Sequence, residues 1–316
     1  MQLFKLGKKL IRHYYQMHPG FNRLQTGVDD AKTLAAKSLI RSMREEGIVD
    51  DLNRVEFKVF SQFGEDGIIQ YLIRNVDTAQ ENFIEFGSSD YSEANTRFLV
   101  INDGWSGLLI DGSASNVEHI KRDSIYWQHD LKAVSAFITR NNINDLIREN
   151  GFEGEIGILS IDIDGVDYWV WERISVVRPV IVIVEYNSIF GFRQPVVVPY
   201  DSKFYRYDAH YSGLYWGASL NSLCCLGERK GYAFVGCNSA ANNAFFVRKD
   251  KVGQLRTHTA ETGFRLAHWS DSRDATGRLN WLRGQAKLEA IKDLEVIDVV
   301  SGRNIKIGDI GLPETD

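Results

Sequence analysis

Beginning near Phe57, short apolar runs rich in β-branched residues end in small or acidic residues and give way to stretches of helical spacing. The runs fall at 82–86, 107–110, 124–128, 156–163 and 180–184. This rhythm predicts βα units, an α/β fold and a mostly parallel sheet with helices on both faces. Pro179 stands just before the fifth run, where a strand's first position tolerates a missing backbone donor. Two further runs, 232–235 and 244–247, are separated by Gly-Cys-Asn-Ser-Ala-Ala-Asn-Asn. A parallel return needs a longer crossover, so this pair is expected to be antiparallel and to close the sheet with a reversed strand.

The flanks read differently. Leu3, Leu6, Leu10 and Ile11 have helical spacing with Lys5, Lys8, Lys9 and Arg12 between them. Such a basic amphipathic segment suits peripheral contact with an anionic membrane, docking on its own domain, or self-association. A second helical pattern spans 30–46, with Leu34, Leu39, Ile40 and Met43 as its apolar stripe. The chain thus divides into a helical extension at 1–55, an α/β domain at 56–250 with an aromatic insertion near 188–216, and a polar tail at 251–316. Within the domain a helix is expected over 218–230, closed by Gly231, and the tail ends in a hairpin of 294–300 and 305–307.

Composition narrows the function classes. The 316 residues hold 37 Lys+Arg against 42 Asp+Glu, a formal charge of −5, with 44% hydrophobic residues. That is a folded globular composition, and a nucleic-acid partner is not expected because such proteins are more basic. Cys224, Cys225 and Cys237 form no zinc spacing, and a disulfide framework is not expected. No apolar run approaches the ~18 to 20 residues of a membrane span, and the basic start lacks a secretory pattern, so cytoplasmic residence is the expectation.

Carboxylates recur at the ends of the runs. The first ends Ile84-Glu85-Phe86-Gly87 and enters a segment containing Ser88, Asp90 and Glu93; Gly87 would let backbone approach a ligand. Ser89 and Tyr91 stand where a glycine series would continue, and the acids repel phosphate, so a cofactor with a cationic amine and sulfonium fits better than a dinucleotide. Asp111, before Gly112 and Ser113, is placed to accept ribose hydroxyls, and Asp130 offers a carboxylate to a purine amine. Period-two alternation puts Asp162 and Asp164 on one face, and Glu185 and Asn187 end the fifth run. Asp162, Glu185 and Asn187 could supply oxygen ligands to Mg²⁺ or another divalent ion; the other reading is positioning through hydrogen bonds alone. Asp162, Asp164, Glu185 and His210 are the candidate proton acceptors.

Taken in order, Ser61-Gln-Phe-Gly-Glu-Asp66, Ile84-Glu-Phe-Gly87, Asn95-Thr96, Gly104-Trp-Ser-Gly-Leu-Leu-Ile-Asp111, Ser160-Ile-Asp-Ile-Asp-Gly-Val-Asp167 and Val184-Glu-Tyr-Asn187 resemble the FkbM-like branch of class I SAM-dependent methyltransferases. The resemblance covers roughly 57–250 and implies a Rossmann-like sheet, S-adenosyl-L-methionine as cofactor and methyl transfer. It puts Glu85, Gly87 and Ser88 beside the methionine moiety, Asp111, Gly112 and Ser113 at the ribose, Asp130 at the adenine, and Asp162 where transfer occurs. Gln62 and Glu65 would close over the cofactor in place of the missing glycines. The implied acceptor is a hydroxyl of a sugar, glycan or related polar metabolite, in surface-polysaccharide biosynthesis, with the aromatic insertion stacking on it. N- or O-methylation of a non-sugar small molecule, or a catalytically silent scaffold in a membrane-associated assembly, are the alternatives.

Overall fold

The computed structural model describes residues 19–310, so the basic pattern at 3–12 lies outside the described residues. The chain divides into two compact units between Gly47 and Ile48. The first is represented by the helix Pro19–Glu46, which begins well before the predicted start at 30 and leaves Leu34 and Leu39 exposed. No helix among the described residues is long and apolar enough to cross a membrane.

The second unit is built on a seven-stranded sheet. Its strands are β1 (Asn82–Phe86), β2 (Ser106–Asp111), β3 (Leu131–Ser135), β4 (Gly154–Ile161), β5 (Val177–Glu185), β7 (Tyr232–Cys237) and β8 (Asn243–Arg248), in the order β3-β2-β1-β4-β5-β8-β7; a short β6 (Val196–Val197) lies outside it. β1 to β5 are parallel, whereas β8 runs antiparallel to both β5 and β7. This is the predicted α/β sheet, mostly parallel and closed by a reversed strand. Ile84, Leu108, Leu159 and Val182 are fully buried, as the near-continuous apolar runs of a sheet covered on both faces require. The chain leaves β1 toward β2 and β3 on one side and resumes with β4 and β5 on the other. Neighbouring connections therefore diverge between β1 and β4, opening a crevice at the strands' carboxyl ends.

One predicted strand is wrong. Residues Ser124–Gln128 form a helical turn, because the Asp123 side chain caps it by accepting from Ile125 N at 3.1 Å. The third strand instead comprises Leu131–Ser135, where Leu131 and Ala133 face inward and Lys132 outward. A five-residue apolar run satisfies either period, and the capping aspartate decided it.

The insertion and the tail share structure. β9 (Glu295–Asp298) and β10 (Asn304–Lys306) form the predicted terminal hairpin, and β6 in the insertion adds to it as a third, antiparallel strand. Phe190, Val196, Leu214, Leu288, Val296 and Ile307 make the core beneath this small sheet. Insertion and tail are thereby fixed over the open end of the main sheet.

Candidate active site

A cleft of about 1010 Å³ opens at the carboxyl ends of β1, β2, β4 and β5. Its first wall is the turn after β1. Gly87 has φ +74°, and a Cβ there would lie 1.6 Å from the Asp162 carbonyl oxygen, so the β1 and β4 tips touch only because this residue is glycine. Ser89 (φ +51°) and Tyr91 (φ +61°) also take left-handed backbone. The path of a glycine-rich loop is thus kept without the glycines. Ser89 is held by its N–H donating to Asp111 Oδ2 at 2.9 Å, and Tyr91 by complete burial and its hydroxyl 3.0 Å from Thr96 Oγ1.

Glu85, at the same tip, is turned into the protein. It accepts from Asn95 N at 2.9 Å, Thr96 N at 3.1 Å and the Thr96 hydroxyl, and burial raises its pKa to about 6. It clamps the loop that forms the cleft wall. Asp111 is the hinge of the second wall: besides Ser89 it accepts from Ser113 N at 2.8 Å and Asn116 Nδ2 at 3.0 Å. A carboxylate has about four lone-pair sites, so these three bonds leave one unused. Gly112 and Ser113 line the cleft beside it, and Gln62 lies at its rim.

Asp162 and Glu185 form the floor. The two carboxyls lie within hydrogen-bonding reach, and burial followed by their mutual repulsion raises both well above the ordinary carboxylate range. Two carboxyls this close titrate as a coupled pair rather than independently. Asp164 does not share a strand face with Asp162, contrary to the alternation argument. β4 ends at Ile161, and Asp167 draws the chain into a turn by accepting from Ile163 N and Gly165 N, leaving Asp164 exposed with φ +58°. There Asp164 accepts from Arg206 Nη1 at 2.9 Å. Arg206 also donates to Gly213 O and to Asp271.

Four expected site residues lie elsewhere. Asp130 precedes β3, at the amino end of the sheet, where its carbonyl accepts from Gly107 N; moving the strand moved this residue to the opposite edge. Glu65 is fully buried, accepting from Phe63 N, Gly64 N, Asn238 Nδ2 and Asn243 Nδ2. Asn187 donates to Leu214 O and Trp216 O and accepts from Ile189 N, which uses the groups a metal would need. Among the described residues no group of three or more His, Cys, Asp or Glu is arranged to hold a metal ion. His210 pairs with Ser212 Oγ at 2.7 Å, stacks on Tyr211 and does not line the cleft; burial lowers its pKa.

The corrected third strand brings Ala136, Phe137 and Ile138 to the cleft in place of Asp130. Phe137 is 57% exposed, a large apolar surface standing open beside Asp111. Of the insertion's aromatics, Phe204 and Tyr205 reach the cleft, whereas Phe190 and Trp216 are core and Tyr200 supports Arg140. Trp269 and Asp271 enter from the tail and Asn242 and Asn243 from the β7–β8 hairpin. Arg206 and Asp271 carried no sequence signal, because the ion pair between them spans 65 positions.

No family model matches the chain, and no curated protein matches it. Among solved structures it is similar to an S-adenosylmethionine-dependent methyltransferase from Clostridium acetobutylicum ATCC 824, at 9% identity over 58% of this chain and 90% of that one, with a TM-score of 0.38. The N-terminal domain of EvdMO1 with SAH bound is similar at 11% identity, over 67% of this chain and 94% of that one, with a TM-score of 0.37. An O-methyltransferase from Bacillus cereus in complex with SAH is similar at 11% identity, over 67% of this chain and 88% of that one, with a TM-score of 0.36.

Proposed function

We propose that the chain is an SAM-dependent O-methyltransferase of FkbM-like type, acting on a hydroxyl of a sugar, glycan or related polar metabolite. The observation that carries this reading is the charge of the cleft at the sheet's crevice. Eight acidic residues line it (Glu85, Asp90, Glu93, Asp111, Asp162, Asp164, Glu185 and Asp271) against one basic residue, Arg206. Glu85 is turned inward, Glu93 is paired with Lys58, and Asp164 and Asp271 are paired with Arg206, whereas Asp111, Asp162 and Glu185 have no ion pair to a basic side chain that lines the cleft. A dinucleotide or nucleoside triphosphate would be repelled, whereas a ligand with a sulfonium and an amine would be attracted.

The residues present fit that cofactor. Gly87 lets the β1 and β4 tips meet at the cleft, and the buried hydroxyl of Ser88, which has no hydrogen-bond partner, belongs to a residue of the same wall. Asp111 would take the ribose hydroxyls, and Phe137 with Ile138 would cover the purine. When bound, SAM supplies an electrophilic methyl group. The chain supplies the base: Asp162, its pKa raised by burial and by neighbouring carboxylates, is the candidate to accept the proton of an acceptor hydroxyl. Phe204, Tyr205 and Trp269 offer the flat faces on which a sugar ring stacks.

The test is calorimetry of the full chain with S-adenosylhomocysteine and with SAM, with and without Mg²⁺. One site per chain is expected. No binding under any of these conditions overturns the methyltransferase reading.

A further inference from the structure

Among the described residues, five buried side-chain polar atoms have no hydrogen-bond partner, and three belong to residues lining the cleft: Ser88 Oγ, Glu185 Oε2 and Asn243 Oδ1. Ser88 belongs to the turn after β1. The other two are cross-strand partners, Glu185 on β5 lying directly opposite Asn243 on β8. Their residues are only 6% and 2% exposed.

Chemistry fixes the orientation of Asn243. Its Nδ2 donates to Glu65 Oε1 at 3.1 Å, an oxygen that also accepts from Asn238 Nδ2 at 2.7 Å. The amide nitrogen is committed to that carboxylate, so the carbonyl oxygen is the atom left over. On these cross-strand partners two acceptor atoms, Glu185 Oε2 and Asn243 Oδ1, therefore lack a donor among the described residues, while the Glu185 carboxyl also lies beside that of Asp162. Arg206 is the cation whose charge reaches Glu185, but its hydrogen bonds go to Gly213 O, Asp164 and Asp271 and none goes to either of these atoms. Asp162, and Asp164 and Asp271 held by Arg206, line the same cleft.

Buried acceptors without donors are costly, and such a pair in an acidic wall is suited to a group with several N–H bonds and a positive charge. A hydroxyl brings one donor; a primary ammonium brings three. We propose that Glu185 and Asn243 form a subsite for a primary ammonium group of the acceptor, so that the acceptor is an amine-bearing compound such as an amino sugar rather than a phosphorylated or carboxylated one. This deepens the proposed function and rests on it for the identity of the cleft, but the subsite itself is testable without turnover.

The probe is methylammonium, with methanol as its neutral counterpart of similar size. Chain carrying isotope-labelled asparagine is titrated with each, with and without S-adenosylhomocysteine, and the Asn243 side-chain amide signal, assigned through its loss in Asn243→Ser, is followed by NMR. Methylammonium should shift it saturably, with a midpoint about tenfold or more below that of methanol, the difference a charge-assisted bond makes. Glu185→Gln should raise that midpoint by a similar factor. Equal responses to the two probes, no response to methylammonium, or a response to Mg²⁺ alone overturns the ammonium subsite. The wild-type comparison decides even if Glu185→Gln does not fold. Failure to bind S-adenosylhomocysteine in the same samples would overturn the methyltransferase reading while leaving the subsite standing or falling on methylammonium.

Discussion

Gly87 and Asp162 meet backbone to side-chain position: the Asp162 carbonyl oxygen occupies the place where a Cβ of residue 87 would stand, at 1.6 Å. The two residues end adjacent strands whose connections diverge, so this contact sets the floor of the cleft. A methyl group cannot be accommodated there by rotating a side chain, since the obstacle is main chain.

Gly87→Ala should therefore separate the β1 and β4 tips. Overpacking and a left-handed φ for a residue with Cβ together cost about 2–4 kcal/mol. Urea unfolding should show this as a lower midpoint, accompanied by loss of S-adenosylhomocysteine binding. An unchanged midpoint would mean that the strand tips can part freely.

The opposite outcome is expected two residues later. Ser89 takes φ +51° and contributes its backbone N–H to Asp111. Ser89→Gly keeps that bond and relieves the backbone, while the unfolded chain gains entropy. Stability should change by no more than about 1 kcal/mol, with cofactor affinity retained. A large loss of affinity would show that the serine hydroxyl, not the loop path, matters.

Asp111 and Phe137 separate two kinds of contact. Asp111→Ala removes a charged acceptor and the anchor of Ser89, Ser113 and Asn116, so S-adenosylhomocysteine affinity should fall about tenfold to a hundredfold. Phe137→Ala removes an exposed ring and should weaken binding about fivefold to thirtyfold, with unfolding shifted by less than about 0.5 kcal/mol. Calorimetry beside thermal unfolding distinguishes them; undiminished affinity in both would mean that the nucleoside lies elsewhere.

The Asp162–Glu185 pair should appear in the pH dependence of stability. Both groups are raised in the folded chain above ordinary values of 3.8 and 4.5, so the folded state binds more protons than the unfolded one. Stability from this pair is fully present below that ordinary range and is lost as pH climbs through the folded values, by up to about 1.4 kcal/mol per pH unit for each excess proton. Glu185→Gln removes one carboxyl and the repulsion, so its urea midpoint should gain on the wild type as pH rises. Parallel curves for the two proteins would show that Glu185 takes up no more protons in the folded chain than in the unfolded one.

Much of this arrangement is legible in the chain. β1 has the predicted limits, and the antiparallel return of β7 and β8 follows from a linker too short to cross over, because strand period, apolar runs and loop length are local properties. For the same reason Gly87, Asp111, Asp162 and Glu185 could be named as strand-tip residues, and all four line the cleft. Where two local readings compete, the sequence is silent. The 124–128 run fits helix or strand, and the Asp123 cap settled it as a helix, carrying Asp130 to the far edge of the sheet.

The pairings that finish the site are not local at all. Arg206 meets Asp271, Glu65 orients Asn243, and β6 joins β9 across insertion and tail. Each depends on which surfaces pack once the sheet exists, and the contribution of a buried polar group is set by the partner that burial leaves it. The sequence alone therefore determined the sheet and the row of acids at its edge. Only the tertiary structure decided which of those acids are spent on holding loops, as Glu85 is, and which keep an oxygen without a donor, as Glu185 keeps Oε2.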